Sequence, residues 1–150
     1  MRELHVNTEK VIEIDNGIEI HFAYNNELVG LEKSLFCISF KDISRKNVYF
    51  IIADNNFMNC SQATKKFLFY HECGHVINGD LEDRPIRRFL KKHIFRLYLY
   101  MEYKADKHAV RILGKDIAIN AFQEITDMRK DTLYYPEIIH RYMRIKNGKC

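Results

Sequence analysis

The sequence has no tryptophan, no long apolar run and few of the residues that mark non-globular chains. Its six glycines and two prolines exclude a collagen-like or low-complexity chain. The four cysteines form no Cys-x-x-Cys pair and no dense framework, which agrees with a reducing compartment. No apolar stretch approaches the roughly 20 residues that span a bilayer, and the first residues lack the apolar core of a signal peptide. We therefore expect a cytoplasmic protein without a membrane segment.

The composition that remains is that of an ordinary globular chain. With 150 residues, 47% hydrophobic and 29% charged, the sequence predicts a single folded domain over residues 1–150. The formal net charge of +4 permits an acidic partner but does not demand nucleic acid.

The first third of the chain has the patterns of a sheet. Asp15-Asn16-Gly17 is a hairpin turn signal between two apolar segments. Phe36, Ile38 and Phe40 alternate with smaller residues, as in a half-buried strand. With the continuous apolar run Val48–Ala53, these segments predict about four strands, paired antiparallel through short connections.

The rest of the chain changes to helical periodicity. Ser61 is a candidate N-cap for a helix that ends near Asn78-Gly79. Further helices are expected over Pro85–Leu113, over Asp116–Ile125 and from Pro136 onward. The order predicts an α+β domain in which a small N-terminal antiparallel sheet packs on the first helix and on a C-terminal helical half.

The first helix carries the residues that indicate chemistry, in the sequence His71-Glu72-Cys73-Gly74-His75. Two histidines four residues apart lie on one helix face, about 6 Å apart along the axis, so both imidazoles can reach one zinc ion. Glu72 is placed beside the metal, where a carboxylate can hold a zinc-bound water. The simpler interpretation is that the two histidines pair with each other on the helix and bind no metal.

A third ligand is needed, and the next predicted helix offers Glu102. Helical facing favours Glu102, while Asp80, Glu82 and Asp83 follow the motif closely and remain rivals. Asp106, one turn after Glu102, can accept the free ring N–H of a ligand histidine, with His71 the first choice. Alternatively, the Asp106 carboxylate forms an ion pair with a neighbouring lysine.

These residues together resemble the gluzincin metallopeptidases, whose pattern is His-Glu-x-x-His followed by Glu-x-x-Ala-Asp. Asn78-Gly79-Asp80 after the motif is similar to the soluble HtpX/Ste24-like branch, which includes the compact minigluzincins. The short distance from His75 to Glu102 is instead similar to the ImmA/IrrE-like peptidases, although Ala105-Asp106 stands where they usually have Ala-Asn. The resemblance covers residues 48 to 145 and implies a single zincin-like domain.

The resemblance implies a zinc-dependent endopeptidase with one Zn2+ per chain, held by His71, His75 and Glu102. In such enzymes a zinc-bound water attacks the peptide bond, and Glu72 would accept its proton. The tetrahedral oxyanion needs another donor. Arg141 is the first candidate because it keeps the family's spacing from Pro136. The alternatives for that role are Tyr135, where the family often has histidine, and His140 and Tyr142. We expect peptide or protein substrates, added as a strand along Val48–Ala53.

The alternative to a peptidase is a catalytically inactive, zinc-containing regulatory or protein-binding module. The basic residues between Arg84 and Arg96 are interpreted as a solvated helix face, with an acidic docking partner as the alternative. No base-reading motif accompanies them, so we do not expect a nucleic-acid partner. A third interpretation is a protease whose C-terminal segment blocks its own cleft.

Overall fold

A computed structural model describes residues 8–14, 17–25, 36–82 and 95–150. The chain divides after Asn59 into two compact units, a sheet unit and a helical unit. The elements are β1 (Thr8–Ile14), β2 (Ile18–Tyr24), β3 (Cys37–Lys41), β4 (Val48–Ala53), α1 (Asn55–Met58), α2 (Gln62–Ile77), α3 (Phe95–Leu113), α4 (Lys115–Arg129) and α5 (Tyr135–Lys146). Strands followed by helices confirm the predicted α+β class.

The sheet unit is mixed, which corrects the expectation of an antiparallel sheet. Its strand order is β1-β2-β4-β3. β1 and β2 form the predicted hairpin, with Ile14 opposite Ile18 and Gly17 at a φ of 69°. β4 is antiparallel to β3 but parallel to β2. The reason is that the connection from β2 to β4 contains β3 itself, so it is long enough for the crossover that a parallel pair requires.

β4 lies inside the sheet, which is a second correction. Both of its edges are hydrogen-bonded, one to β2 and one to β3, so no peptide can add as a strand along Val48–Ala53. The burial of this strand agrees with that position, since Ile51, Ile52 and Ala53 are at most 2% exposed. The outer edges belong to β1 and β3.

The helical unit begins with a well-capped α2. The Ser61 hydroxyl accepts the N–H of Thr64, as the N-cap prediction requires. Glu124 of α4 accepts the Ser61 N–H and both hydroxyls, which fixes the start of α2 against α4. Phe67 and Phe122 meet edge to face in the core of this unit, with ring centroids 5.1 Å apart.

The remaining helices follow the predictions with shifted bounds. α3 ends at Leu113 as expected and is described from Phe95. α4 runs one turn beyond the expected end at Ile125, and α5 begins at Tyr135. Of the basic residues between Arg84 and Arg96, only Arg96 falls within the described residues, and it is exposed. Among the described helices, none combines the length and apolarity that crossing a bilayer requires.

Candidate metal centre

α2 presents two histidine rings from successive turns. His71 and His75 bring their Nε2 atoms to 3.2 Å from each other, and the rings meet edge-on at an interplanar angle of 87°. Both side chains are largely buried, with exposed fractions of 7% and 12%. The four-residue spacing along one helix face produces this pairing directly.

α3 places the carboxylate of Glu102 against both rings. Oε2 lies 3.3 Å from Nε2 of His71, and Oε1 lies 3.3 Å from Nε2 of His75. These three residues are the set of potential metal ligands that converges within the described residues. Of the rival ligands, Asp80 contacts the opposite side of the His75 ring, and Asp83 lies outside the described residues.

Gly74 allows the two helices to come this close. A Cβ at this position would lie 2.8 Å from the α-carbon of Ala105 and 3.1 Å from its carbonyl oxygen. Ala105 is fully buried and is three residues from Glu102 along α3. The glycine between the two histidines therefore sets the distance from α2 to α3, and with it the distance from the rings to Glu102.

Each histidine donates a hydrogen bond from its other ring nitrogen to a buried carboxylate. Nδ1 of His71 lies 2.8 Å from Oδ1 of Asp106, and Nδ1 of His75 lies 3.0 Å from Oδ2 of Asp80. Ionised carboxylates only accept hydrogen bonds, so these contacts assign the Nδ1 atoms as N–H donors. In neutral rings the lone pairs are then on the two Nε2 atoms, which converge with Glu102.

Arg141 of α5 holds the carboxylates of α3 together. Its Nε and Nη2 atoms donate to the two oxygens of Asp106 at 2.8 and 2.7 Å, a bidentate pair. Its Nη1 donates to Oε2 of Glu102 at 2.9 Å, and Glu137 lies 3.4 Å from the same nitrogen. The guanidinium also lies 5.4 Å from the ring centroid of Phe122. Arg141 therefore holds both the candidate ligand Glu102 and Asp106, the carboxylate that His71 contacts.

The charges of this cluster favour a cation between the rings. Burial raises the pKa of Glu102 and Asp106, but the Arg141 guanidinium and the histidine contacts outweigh burial and hold both carboxyls ionised. Burial lowers the pKa of His75, yet hydrogen bonds to Asp80 and Glu102 raise it to about 10. The surroundings thus attract positive charge to the histidines, supplied either by protons or by a metal ion.

The donor set fits zinc in kind, spacing and charge. Donors bound 2.0–2.1 Å from a tetrahedral zinc ion are about 3.3 Å from each other. The two Nε2 atoms are 3.2 Å apart, and each lies 3.3 Å from one Glu102 oxygen, Oε2 for His71 and Oε1 for His75. With one ligand atom taken from each residue, the three donors lie within 4.8 Å of one another. The buried carboxylates of Asp80, Glu102 and Asp106, with Glu137 beside Arg141, outnumber the one guanidinium when the histidines are neutral. This excess of negative charge attracts a divalent cation.

No family model, no curated protein and no solved structure matches the chain.

The other sequence-predicted residues are placed at different distances from the centre. Glu72 is half-buried on α2, and its charge helps to raise the pKa of His75, so its carboxylate is within electrostatic reach. His140 is exposed and its Nδ1 pairs with the Tyr103 hydroxyl at 2.6 Å. Tyr135 is half-buried at the first residue of α5, and its side chain makes no hydrogen bond or ring contact with another described residue. No described contact joins Tyr135 or His140 to the ligand set.

Sequence reasoning missed three contributions to the centre. It treated Asp80 as a rival ligand, gave Gly74 no role, and did not consider Tyr98, which is one turn before Glu102 on α3. Burial and the nearby charges of Glu102 and Glu137 raise the pKa of Tyr98 well above its ordinary value. The four-residue spacing from Tyr98 to Glu102 was a signal that could have revealed this neighbour.

Proposed function

We propose that the chain is a zinc-dependent peptidase of the gluzincin type, with a zincin-like fold and a cytoplasmic location. The observation that carries this proposal is the convergence of the two Nε2 atoms and the Glu102 carboxylate, with both Nδ1 atoms committed to carboxylates. Three protein ligands are typical of catalytic zinc, which keeps one coordination position open.

His71, His75 and Glu102 would hold the ion. Zinc bound there would lower the pKa of water toward about 7 and polarise a substrate carbonyl. Glu72 would accept the proton from that water and deliver it to the leaving amine, which is the general acid–base role of a carboxylate next to the first ligand. Arg141 remains a candidate for the oxyanion, although its nitrogens already donate to Asp106 and Glu102. His140 and Tyr135 remain the alternative donors.

The substitution Glu72→Gln tests the proposal, because it removes a proton acceptor and keeps the side-chain shape. We expect purified wild-type protein to bind about one zinc ion and to cleave members of a degenerate peptide library followed by mass spectrometry. Glu72→Gln should keep the metal and lose at least ~100-fold in cleavage rate, the usual contribution of a general base. His71→Ala is the matched control that should lose the metal and the cleavage together.

Two results would contradict the proposal in different ways. A folded wild-type chain that binds no zinc would refute the metal centre. A zinc-loaded wild-type chain that leaves the whole library intact would refute peptidase activity and favour the alternative of a zinc-containing binding module, whose partner contacts would be unchanged in Glu72→Gln.

A further inference from the structure

The turn that ends α2 is built around the second histidine. The N–H of Asp80 donates to the carbonyl of His75 at 3.0 Å, and the N–H of Gly79 donates to the carbonyl of Val76 at 3.1 Å. Gly79 has a φ of 69°, the left-handed conformation that closes this kind of helix end. The backbone thus returns Asp80 to the last turn of the helix, directly beside His75.

Asp80 binds the same residue a second time through its side chain. Its Oδ2 lies 3.0 Å from Nδ1 of His75, and its side chain is only 3% exposed. The backbone contact fixes where Asp80 stands, and the side-chain contact fixes the plane of the ring. Because the carboxylate accepts a hydrogen bond from Nδ1–H, the lone pair of the neutral His75 ring is on Nε2, the nitrogen that faces Glu102.

We propose that Asp80 is a positioning residue of the metal centre, and that the turn over residues 78–80 is a functional part of the site rather than only a helix end. This inference rests on the metal centre proposed above. A carboxylate on the far nitrogen of a ligand histidine fixes its tautomer and orientation and makes it a stronger ligand. His71 receives the same support from Asp106, but from a different helix.

The different origins of the two supports have a consequence. Asp106 depends on the packing of α3 against α2 and on Arg141, whereas the backbone of Asp80 is held by hydrogen bonds at the end of α2 itself. The orientation of His75 is therefore set locally, by the five residues that follow it, 76–80, which include the left-handed Gly79. Removing the Asp80 carboxylate should free the ring without changing the α2–α3 contact.

Three variants separate this role from a purely structural one. Asp80→Ala keeps the backbone N–H that closes the helix but leaves Nδ1 of His75 without its acceptor. Asp80→Asn restores an oxygen acceptor without the charge, so it should rescue part of the effect, since neutral hydrogen bonds are weaker than charged ones. Asp116→Ala is the control, because Asp116 is an exposed aspartate at the start of α4 and the charge change is the same.

Zinc affinity is measured by competition with a chromophoric chelator at pH 7.5, with zinc as the only metal ion added. We expect Asp80→Ala to weaken binding about 10- to 100-fold, Asp80→Asn to lie between it and wild type, and Asp116→Ala to match wild type. In parallel, NMR of the zinc-loaded chain should show a slowly exchanging Nδ1 proton on His75 in wild type that is lost in Asp80→Ala.

The outcomes separate the two proposals. If Asp80→Ala and Asp80→Asn both bind zinc within about twofold of wild type, while His75→Ala does not bind, the positioning role of Asp80 is refuted and the metal centre stands. If wild type binds zinc no better than His75→Ala, the metal centre itself is refuted, and this inference with it.

Discussion

The substitution Gly74→Ala tests the spacing on which the whole centre depends. The added Cβ would lie 2.8 Å from the α-carbon of Ala105, which belongs to the backbone and cannot rotate away. Ordinary carbon–carbon contacts are 3.5–4.0 Å, so α2 and α3 must separate by about 0.7–1.2 Å. A metal site tolerates deviations of only about 0.2 Å in its ligand distances. We therefore expect zinc affinity to fall about tenfold or more.

The stability of the metal-free chain should change less than its affinity. Overpacking a core contact costs about 1–3 kcal/mol. Replacing glycine by alanine inside a helix returns about 1 kcal/mol, because alanine has the higher helix propensity. The net loss in the free energy of unfolding is then about 0–2 kcal/mol, measured by urea denaturation in the presence of a chelator.

Gly114→Ala is the matched control for this experiment. Gly114 has a φ of 88° and no atom within 4 Å of a built Cβ, so alanine there introduces backbone strain without a steric contact. We expect it to lower stability and to leave zinc affinity within about twofold of wild type. If Gly74→Ala binds zinc as wild type does, or if both variants lose affinity equally, the helix spacing is not what sets the site.

Two other predictions follow from the charges. Arg141→Met should lower the free energy of unfolding by about 3–5 kcal/mol, because it leaves the buried carboxylates of Asp106 and Glu102 without their counter-charge. A loss below about 1 kcal/mol in urea denaturation would contradict this expectation. Arg141→Lys, which keeps the positive charge, should lower the free energy of unfolding by less. The raised pKa of His75 predicts a pH dependence, since a group whose pKa rises from 6.5 to about 10 on folding stabilises fully below pH 6.5 and ceases to do so as the pH rises through 10. The urea concentration at the unfolding midpoint of the chelator-treated chain should therefore decrease as the pH is raised from 6.5 to 10. Zinc binding should strengthen over the same pH range, because the metal displaces the His75 proton. A midpoint that stays constant or increases with pH would refute the reasoning.

Local signals allowed much of the helical unit to be predicted from sequence. The N-cap at Ser61, the left-handed Gly79 and the apolar period between them give α2 its bounds, because capping and periodicity involve residues within one or two turns. The four-residue interval between His71 and His75 likewise fixes their common face. Local rules do not identify Asp80 as the partner of His75, since its carboxylate could equally be placed as a ligand.

The sheet was harder to predict because strand neighbours are chosen over long distances in sequence. Alternation in β3 gives its period but not its buried face. In the structure Cys37 and Ser39 are buried, while Ile38 and Phe40 are 41% and 37% exposed. The parallel pairing of β2 with β4 has no local signal either, since it depends on where β3 inserts.

The position of Arg141 shows how one buried carboxylate connects three helices. Asp106 accepts a hydrogen bond from His71 of α2 and a bidentate pair from Arg141 of α5, and Arg141 in turn donates to Glu102 of α3. Burying two carboxylates and two histidines beside each other requires a fixed cation, and a guanidinium with its planar set of donors satisfies several acceptors at once. A C-terminal segment that only blocks a cleft would not need to donate to the carboxylate of the candidate ligand Glu102. The contacts of α5 therefore favour a supporting role in the centre over an inhibitory one.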